Sequence, residues 1–342
     1  MITVKLTRSR LCRFAAALVV CALLLPARGA MSATAPSPLN GEPELKNLKI
    51  GISVPDVAYL SLYVAQTQNL WAKEGLTVQL ITFSGDASST QALAGGSIDI
   101  NAASMPGLLN LLQAGQPVKA IYDLADEAFF SFVGNAKVHK WSDLKGGTFG
   151  VTSYGSMTAV LATVALDQHG LAVNKDVQFV QTGGSPNAYA AIQSGQLSAS
   201  TFSLPYALMA KRDGLPVLGT QIQVTGPAWP SEVLYAKEDF FRKNPKTVSA
   251  LLRGIIAANK IIASQPAVAT KSLQDTMKLD PDIAAGAYKA ARGTFPSHGQ
   301  FPPDLSSFWK VMVLAKTVPA PLPPSKWYDP TWVDAYKTWS AR

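Results

Sequence analysis

The sequence predicts an α/β protein of two lobes, each a mostly parallel sheet flanked by helices, with a helical C-terminal segment packed on lobe 1. Three observations predict it. Short apolar runs of strand length alternate with helical segments over the first two thirds of the chain, as in parallel sheets covered on both faces. That alternation occurs twice: Gly51-Ile52-Ser53 is answered by Gly150-Val151-Thr152 at an offset of 99 residues. Beyond Lys237 the alternation gives way to helices. The length of 342 residues also suits two cores, because one core rarely grows past about 250 residues.

Residues 1–30 read as a secretory signal peptide. Lys5, Arg8, Arg10 and Arg13 form a basic start, and residues 14–25 are an unbroken apolar run, too short for a permanent membrane span. Pro26, Ala27, Gly29 and Ala30 suit a cleavage region. The formal charge of +8 is largely a property of this segment. Without Lys5, Arg8, Arg10, Arg13 and Arg28 the balance falls to +3, so a nucleic-acid partner is not expected. Both cysteines, Cys12 and Cys21, lie here as well. The exported body then has no disulfide, thiolate nucleophile or cysteine metal site. Residues 31–46 are rich in Pro, Ser and Ala and read as a flexible leader. No later apolar run has membrane-spanning length, which predicts a soluble body.

The elements follow in order. Residues 48–53 alternate as a strand, 59–71 are helical, 77–83 form a second strand, 89–94 a short helix and 98–103 a third strand. Strands 118–124 and 130–134 come next. The second unit repeats the plan with strand 148–152, helix 158–168 closed by Gly170, strand 177–181, helix 187–193 and strand 197–202. Val78 and Leu80 match Val177 and Phe179, Gly85 matches Gly184, and Ser104-Met105-Pro106 matches Ser203-Leu204-Pro205. Strands 217–219 and 233–236 complete the set. Asn244-Pro245 opens a long helix to about residue 264, with Pro at a first-turn position. Helices 267–277, 281–292 and 304–316 follow, then a Pro-rich strap at 317–324. Trp327, Tyr328, Trp332, Tyr336 and Trp339 fix the tail by burying aromatic area.

The helical tail has no sheet of its own to cover. Packed on the first lobe, it makes the chain cross between lobes twice, near 125–128 and 225–230. Lobe 1 is then 47–127 with 230–342, and lobe 2 is 128–229. Paired crossings form a hinge with a cleft beside it.

Ligands of parallel sheets bind beyond the carboxyl ends of the strands. Those ends carry Asp56 and Tyr59; Gly85, Asp86 and Ser88; Ser104 and Met105; Tyr154, Ser156, Met157 and Thr158; Ser185; and Leu204. Each loop also reads as a plain helix cap, since Ser, Thr and Asp satisfy free backbone N–H groups. If the loops converge, N–H groups and hydroxyls at helix starts suit a small anion, a sulfonate or carboxylate. The absence of Arg and Lys from the loops argues against a phosphate ester or polyanion. Asp56 and Asp86 would repel an anion unless they point away or pair with a ligand amine. Trp229, held between Pro227 and Pro230, suits either a cleft wall or hinge packing. Catalytic, nucleotide and metal motifs are absent, and His139, His169 and His298 do not cluster. The expectation is a non-enzyme with no cofactor and no metal.

At the level of motifs, Leu60-Ser-Leu-Tyr-Val-Ala-Gln66 through Leu70-Trp-Ala-Lys-Glu-Gly-Leu-Thr-Val78 resembles periplasmic binding proteins of sulfonate, nitrate and taurine ABC importers. That family includes a branch binding thiamine-pyrimidine precursors. Ala94-Gly-Gly-Ser-Ile-Asp-Ile100, Trp141-Ser-Asp-Leu-Lys-Gly-Gly-Thr-Phe-Gly-Val151 and Ala191-Ile-Gln-Ser-Gly-Gln-Leu197 are similar too, and the resemblance spans roughly 47–265. It implies the type II two-lobe binding-protein fold, a periplasmic monomer, a small-molecule ligand and a membrane permease as partner. Ligand contacts carry over onto Tyr59, Gly85, Ser88, Ser104, Tyr154, Ser156, Met157 and Thr158. The chain departs at Ser203-Leu204-Pro205-Tyr206, where many relatives hold a Trp-Glu-Pro-Tyr-like run. The missing carboxylate tells against amine or pyrimidine recognition at that position. The expected function is capture of a small organic anion by hinge closure. The alternatives are a pyrimidine or aromatic carboxylate ligand, and a periplasmic enzyme on the same fold.

Overall fold

Among the described residues, ten strands form two five-stranded sheets of the same plan. The structure is a computed structural model and describes residues 39–127, 129–227 and 229–340. The signal segment 1–30 and residues 31–38 of the leader lie outside the described residues.

The first sheet contains β1 (Asn47–Ile52), β2 (Thr77–Thr82), β3 (Ile100–Ser104), β4 (Val118–Ala125) and β10 (Glu232–Lys237). The second contains β5 (Ser131–Gly134), β6 (Thr148–Val151), β7 (Gln178–Gln181), β8 (Ala199–Phe202) and β9 (Val217–Thr220). Their orders are β2-β1-β3-β10-β4 and β7-β6-β8-β5-β9. In each, three parallel strands come from one repeat unit. An antiparallel strand then inserts beside the third: β10 beside β3, and β5 beside β8. The fold is that of two-lobe α/β binding proteins.

The near-repeat has a packing cause. A Cβ at Gly51 would lie 2.5 Å from Ile98 Cδ1 and 2.8 Å from Asn101 Oδ1. At Gly150 it would lie 2.7 Å from Leu197 Cδ1 and 2.9 Å from Ser200 Oγ. Both central strands therefore need a residue without a side chain where the third strand leans over them.

Twelve helices matter for the site and its support: α1 (Leu60–Thr67), α2 (Asp86–Ala94), α3 (Met105–Gln113), α4 (Met157–Gln168), α5 (Ser185–Gln193), α6 (Tyr206–Arg212), α7 (Gln221–Thr225), α8 (Glu238–Lys243), α9 (Pro245–Ser264), α10 (Pro266–Met277), α11 (Pro281–Ala291) and α12 (Ser306–Leu314). The first helix is shorter than expected. Asn69, at φ 52°, turns the chain after Thr67, and Trp71 folds back to donate its Nε1–H to Leu251 O at 3.0 Å. The helix starts expected after Ser104 and Ser203 are α3 and α6, whereas α7 was not anticipated. Ser104 caps α3 by accepting from Gly107 N, with Pro106 in the first turn, as its residue type favours.

α9 satisfies the length and composition of a membrane span, yet 72% of that window is buried inside the fold. It packs on α1 beside α10, while the turns at Pro324–Trp327 and Thr331–Asp334 pack on β4. The tail is not confined to the first lobe, however. α12 lies against α4 and α7, and α11 touches α6. Trp327, Trp332 and Trp339 are buried. Between the sheets the two crossing segments run side by side, with Trp229 N donating to Asp126 O at 3.0 Å and Ser231 N to Ala125 O at 2.8 Å.

Candidate functional site

The carboxyl ends of the parallel strands in both sheets face one small cavity. From the first lobe it is lined by Ser53, Val54, Asp56, Asp86 and Glu232. From the second it is lined by Phe130, Thr152, Met157, Thr158, Ser185 and Ser203. Its volume is about 20 Å³, room for roughly one water. The lobes are closed on each other. Met157 N donates to Asp86 Oδ2 at 3.4 Å, and Asn110 Nδ2 donates to Gly155 O at 3.1 Å.

Local structure fixes each carboxyl. Asp56 caps the helical turn Val57–Tyr59, accepting from Ala58 N at 2.9 Å. Asp86, in the first turn of α2, accepts from Ser104 Oγ at 2.8 Å. Glu232 opens β10, and Tyr59 donates its hydroxyl to Glu232 Oε2 at 2.6 Å, with Ser53 Oγ 2.8 Å from the same hydroxyl. Burial pushes Asp56 up to about 6 against the pull of its hydrogen bonds from Ala58 and Ser203. Burial also raises Asp86, opposed by Ser104. Glu232 is held well above the carboxylate range by burial and then by the charge of Asp86. No Lys or Arg lines the cavity. A small anion was expected here. The cavity instead gathers three carboxyl groups, Asp56, Asp86 and Glu232, and no base lines it beside them.

The other expected residues divide by position. Met157, Thr158 and Ser185 line the cavity with Asp56. Ser104 stands behind Asp86. Ser156 caps α4 and accepts from Thr152 Oγ1 at 2.8 Å. Tyr59 is fully buried behind Glu232, and Met105 is buried at the start of α3. Gly85 (φ 143°) and Gly184 (φ 147°) hold matching conformations before α2 and α5, which side-chain-bearing residues rarely adopt. Ser88 donates to Gly85 O, turned back on its own helix. Leu204 is buried but does not line the cavity.

Tyr154 and Trp229 stand away from it. Tyr154 is 59% exposed, donates to Phe179 O at 3.3 Å, and faces an outer groove shared with residues 313–319. Trp229 is fully buried edge-on to Phe308, 5.0 Å between ring centres. The aromatic ring in the cavity wall is Phe130 instead. Sequence reasoning missed Glu232, Ser53, Phe130 and Thr152. An acid opening an otherwise apolar strand was the available signal for Glu232.

His169 stacks on Trp141 and His298 on Tyr336; neither these nor His139 lines the cavity. Among the described residues no group of three His, Cys, Asp or Glu is placed to hold a metal ion.

The model of the NMT1-like family matches residues 41–274. The putative binding protein YtlA of Bacillus subtilis (strain 168) is 24% identical over 251 residues, covering 71% of this chain and 74% of that protein. A 4-amino-5-hydroxymethyl-2-methylpyrimidine phosphate synthase of Saccharomyces cerevisiae is 23% identical over 261 residues, covering 71% and 75%. Among solved structures, a protein of Bordetella bronchiseptica RB50 superposes with a TM-score of 0.75 at 25% identity, over 87% of this chain and 99% of that one. The alkanesulfonate-binding protein SsuA of Xanthomonas axonopodis pv. citri, bound to MOPS, superposes with a TM-score of 0.66 at 18% identity, over 81% and 95%.

Proposed function

Because the chain belongs to the NMT1-like family, and folds as the two-lobe binding proteins do, we propose that it is the periplasmic solute-binding component of an ABC importer. It captures a small molecule between its lobes and presents the closed form to a membrane permease. The observation that carries this reading is the cavity itself. Residues of both lobes line it, and two hydrogen-bonded crossing segments join the lobes. Such a hinge lets the lobes part to admit a solute, and a solute touching both sides shifts the population toward closure.

Relatives named as pyrimidine phosphate synthases raise the alternative of an enzyme. The residues at the cavity favour a receptor. All three histidines are elsewhere, and both cysteines fall in the expected signal peptide.

The test is small-angle scattering and native mass spectrometry of the protein mixed with a small-molecule extract of its cells. A bound solute released unchanged, with a fall in radius of gyration, is expected. No compaction and no bound mass would sink the receptor reading. A solute released chemically altered would favour the enzyme.

A further inference from the structure

We infer that the solute presents a protonated nitrogen (an amine, an amidine or an aminopyrimidinium) to Asp56, Asp86 and Glu232. This rests on the receptor reading above and narrows it to a ligand class.

Buried carboxyls usually have a structural explanation, and here neutral donors supply hydrogen bonds without any counter-charge. Asp56 Oδ1 caps a turn, and Glu232 Oε2 takes the Tyr59 hydroxyl. Asp86 Oδ2 takes the Ser104 hydroxyl and, more distantly, the Met157 N–H. Among the described residues none of the three forms a salt bridge. The groups that face them are hydroxyls and backbone N–H groups: Ser53 and Tyr59 from their own lobe, and Thr152, Thr158, Ser185 and Ser203 from the other. Three acids in one small cavity without a base are a costly arrangement. Fixed by neutral donors, they are already oriented, so a cation that enters loses little of its binding energy to rearrangement.

A polar group beside the cavity is also left without a partner. Ser153, on the facing lobe, is 8% exposed, and its Oγ has no hydrogen-bond partner. It faces Gly85, the residue before Asp86, at 3.5 Å from where a Cβ would stand. Neither Ser153 nor Gly85 lines the cavity, so this unpartnered hydroxyl stands at its edge, beside the acid-bearing start of α2. An ammonium or a planar amidinium offers several N–H donors and can satisfy more than one carboxylate at once. An aminosulfonate shares that nitrogen, so a sulfonate ligand fits this cavity only as a zwitterion.

Two probe pairs test the class by calorimetric titration: taurine against ethanesulfonate, and 4-aminopyrimidine against pyrimidine. In the pair that binds, the amino member is expected to bind at least about tenfold more tightly than its partner. Asp56→Asn, Asp86→Asn and Glu232→Gln, checked for folding by circular dichroism, should each weaken it about tenfold or more. Which pair responds tells an aminosulfonate from an aminopyrimidine. Equal binding of either amino-free partner overturns the inference, as does undiminished affinity in all three variants. If neither pair binds, the solute released after compaction by the cell extract decides. A basic nitrogen in it upholds the class. Its absence ends the class while leaving the receptor standing. An extract that causes no compaction removes the receptor reading itself.

Discussion

Asp123 is a buried carboxyl that the cleft does not use. It lies on β4 with both oxygens lacking a donor in good hydrogen-bonding geometry. Burial, and then the charge of Asp126, holds it well above the usual range, and only the Ala125 N–H favours its charged form. The sign of the consequence follows. Well below about pH 4 this carboxyl is neutral in folded and unfolded chains alike. As pH rises, the unfolded chain ionises while the folded one resists, so stability is lost until the folded group also titrates. Asp56 contributes in the same direction, with its loss ending near its raised value of about 6. Asp123→Asn should therefore raise the melting temperature near neutral pH and do little under acid conditions. Calorimetry across that range checks it, and an equal effect at both ends would contradict the assignment. At this scale the sequence was legible where chemistry is local. Ser104 and Ser156 read as caps and are caps. Glu232 was not legible, because only the antiparallel insertion of β10 brings its first residue to the carboxyl edge of the parallel strands. Tyr154 and Trp229 sit in the right loops, but adjacency in sequence does not give the direction of a side chain.

At the scale of elements, the doubled strand pattern carried most of the fold. Its matched glycines prove to be packing necessities at Gly51 and Gly150 and conformational ones at Gly85 and Gly184. The strand order and the spread of the tail over both lobes were not legible, since each depends on contacts between segments far apart in sequence. Two junctions show how firmly those contacts are specified. A Cβ at Gly254 in α9 would lie 2.3 Å from Trp71 Cδ1. That ring is anchored by its bond to Leu251 O, so it has little freedom to move. Gly254→Ala should cost about 1–3 kcal/mol through overpacking, read by denaturant unfolding. A neutral or stabilising result would mean that α9 and Trp71 can separate cheaply. At the crossing, Trp229 packs on Phe308 of α12, which itself rests on α4. Trp229→Ala should cost about 3–5 kcal/mol for an aromatic lost from a core. A loss under 1 kcal/mol, well below that range, would show that the junction collapses onto the space.

The whole molecule joins these two scales, because the acids of the first lobe face hydroxyls of the second across the cavity. Burial is the first cause of the raised values of Asp56, Asp86 and Glu232. If the second lobe supplies that burial, closure favours their neutral forms. By the same linkage, the closed form of the empty protein is favoured when the carboxyls are protonated, and is lost as pH rises through their raised values, Asp56 near 6 among them. On the proposed reading, a captured cation supplies the missing charge and favours closure at neutral pH. Scattering from ligand-free protein should give a smaller radius of gyration in mild acid than at slightly alkaline pH. Combining Asp56→Asn, Asp86→Asn and Glu232→Gln should abolish that dependence and leave the lobes closed throughout. The interlobe bond from Asn110 to Gly155 carries no titrating group, so it holds equally at every pH and cannot produce the change. A radius independent of pH in the unaltered protein would show that the acids stay hydrated in both forms, and would separate ligand selection from closure.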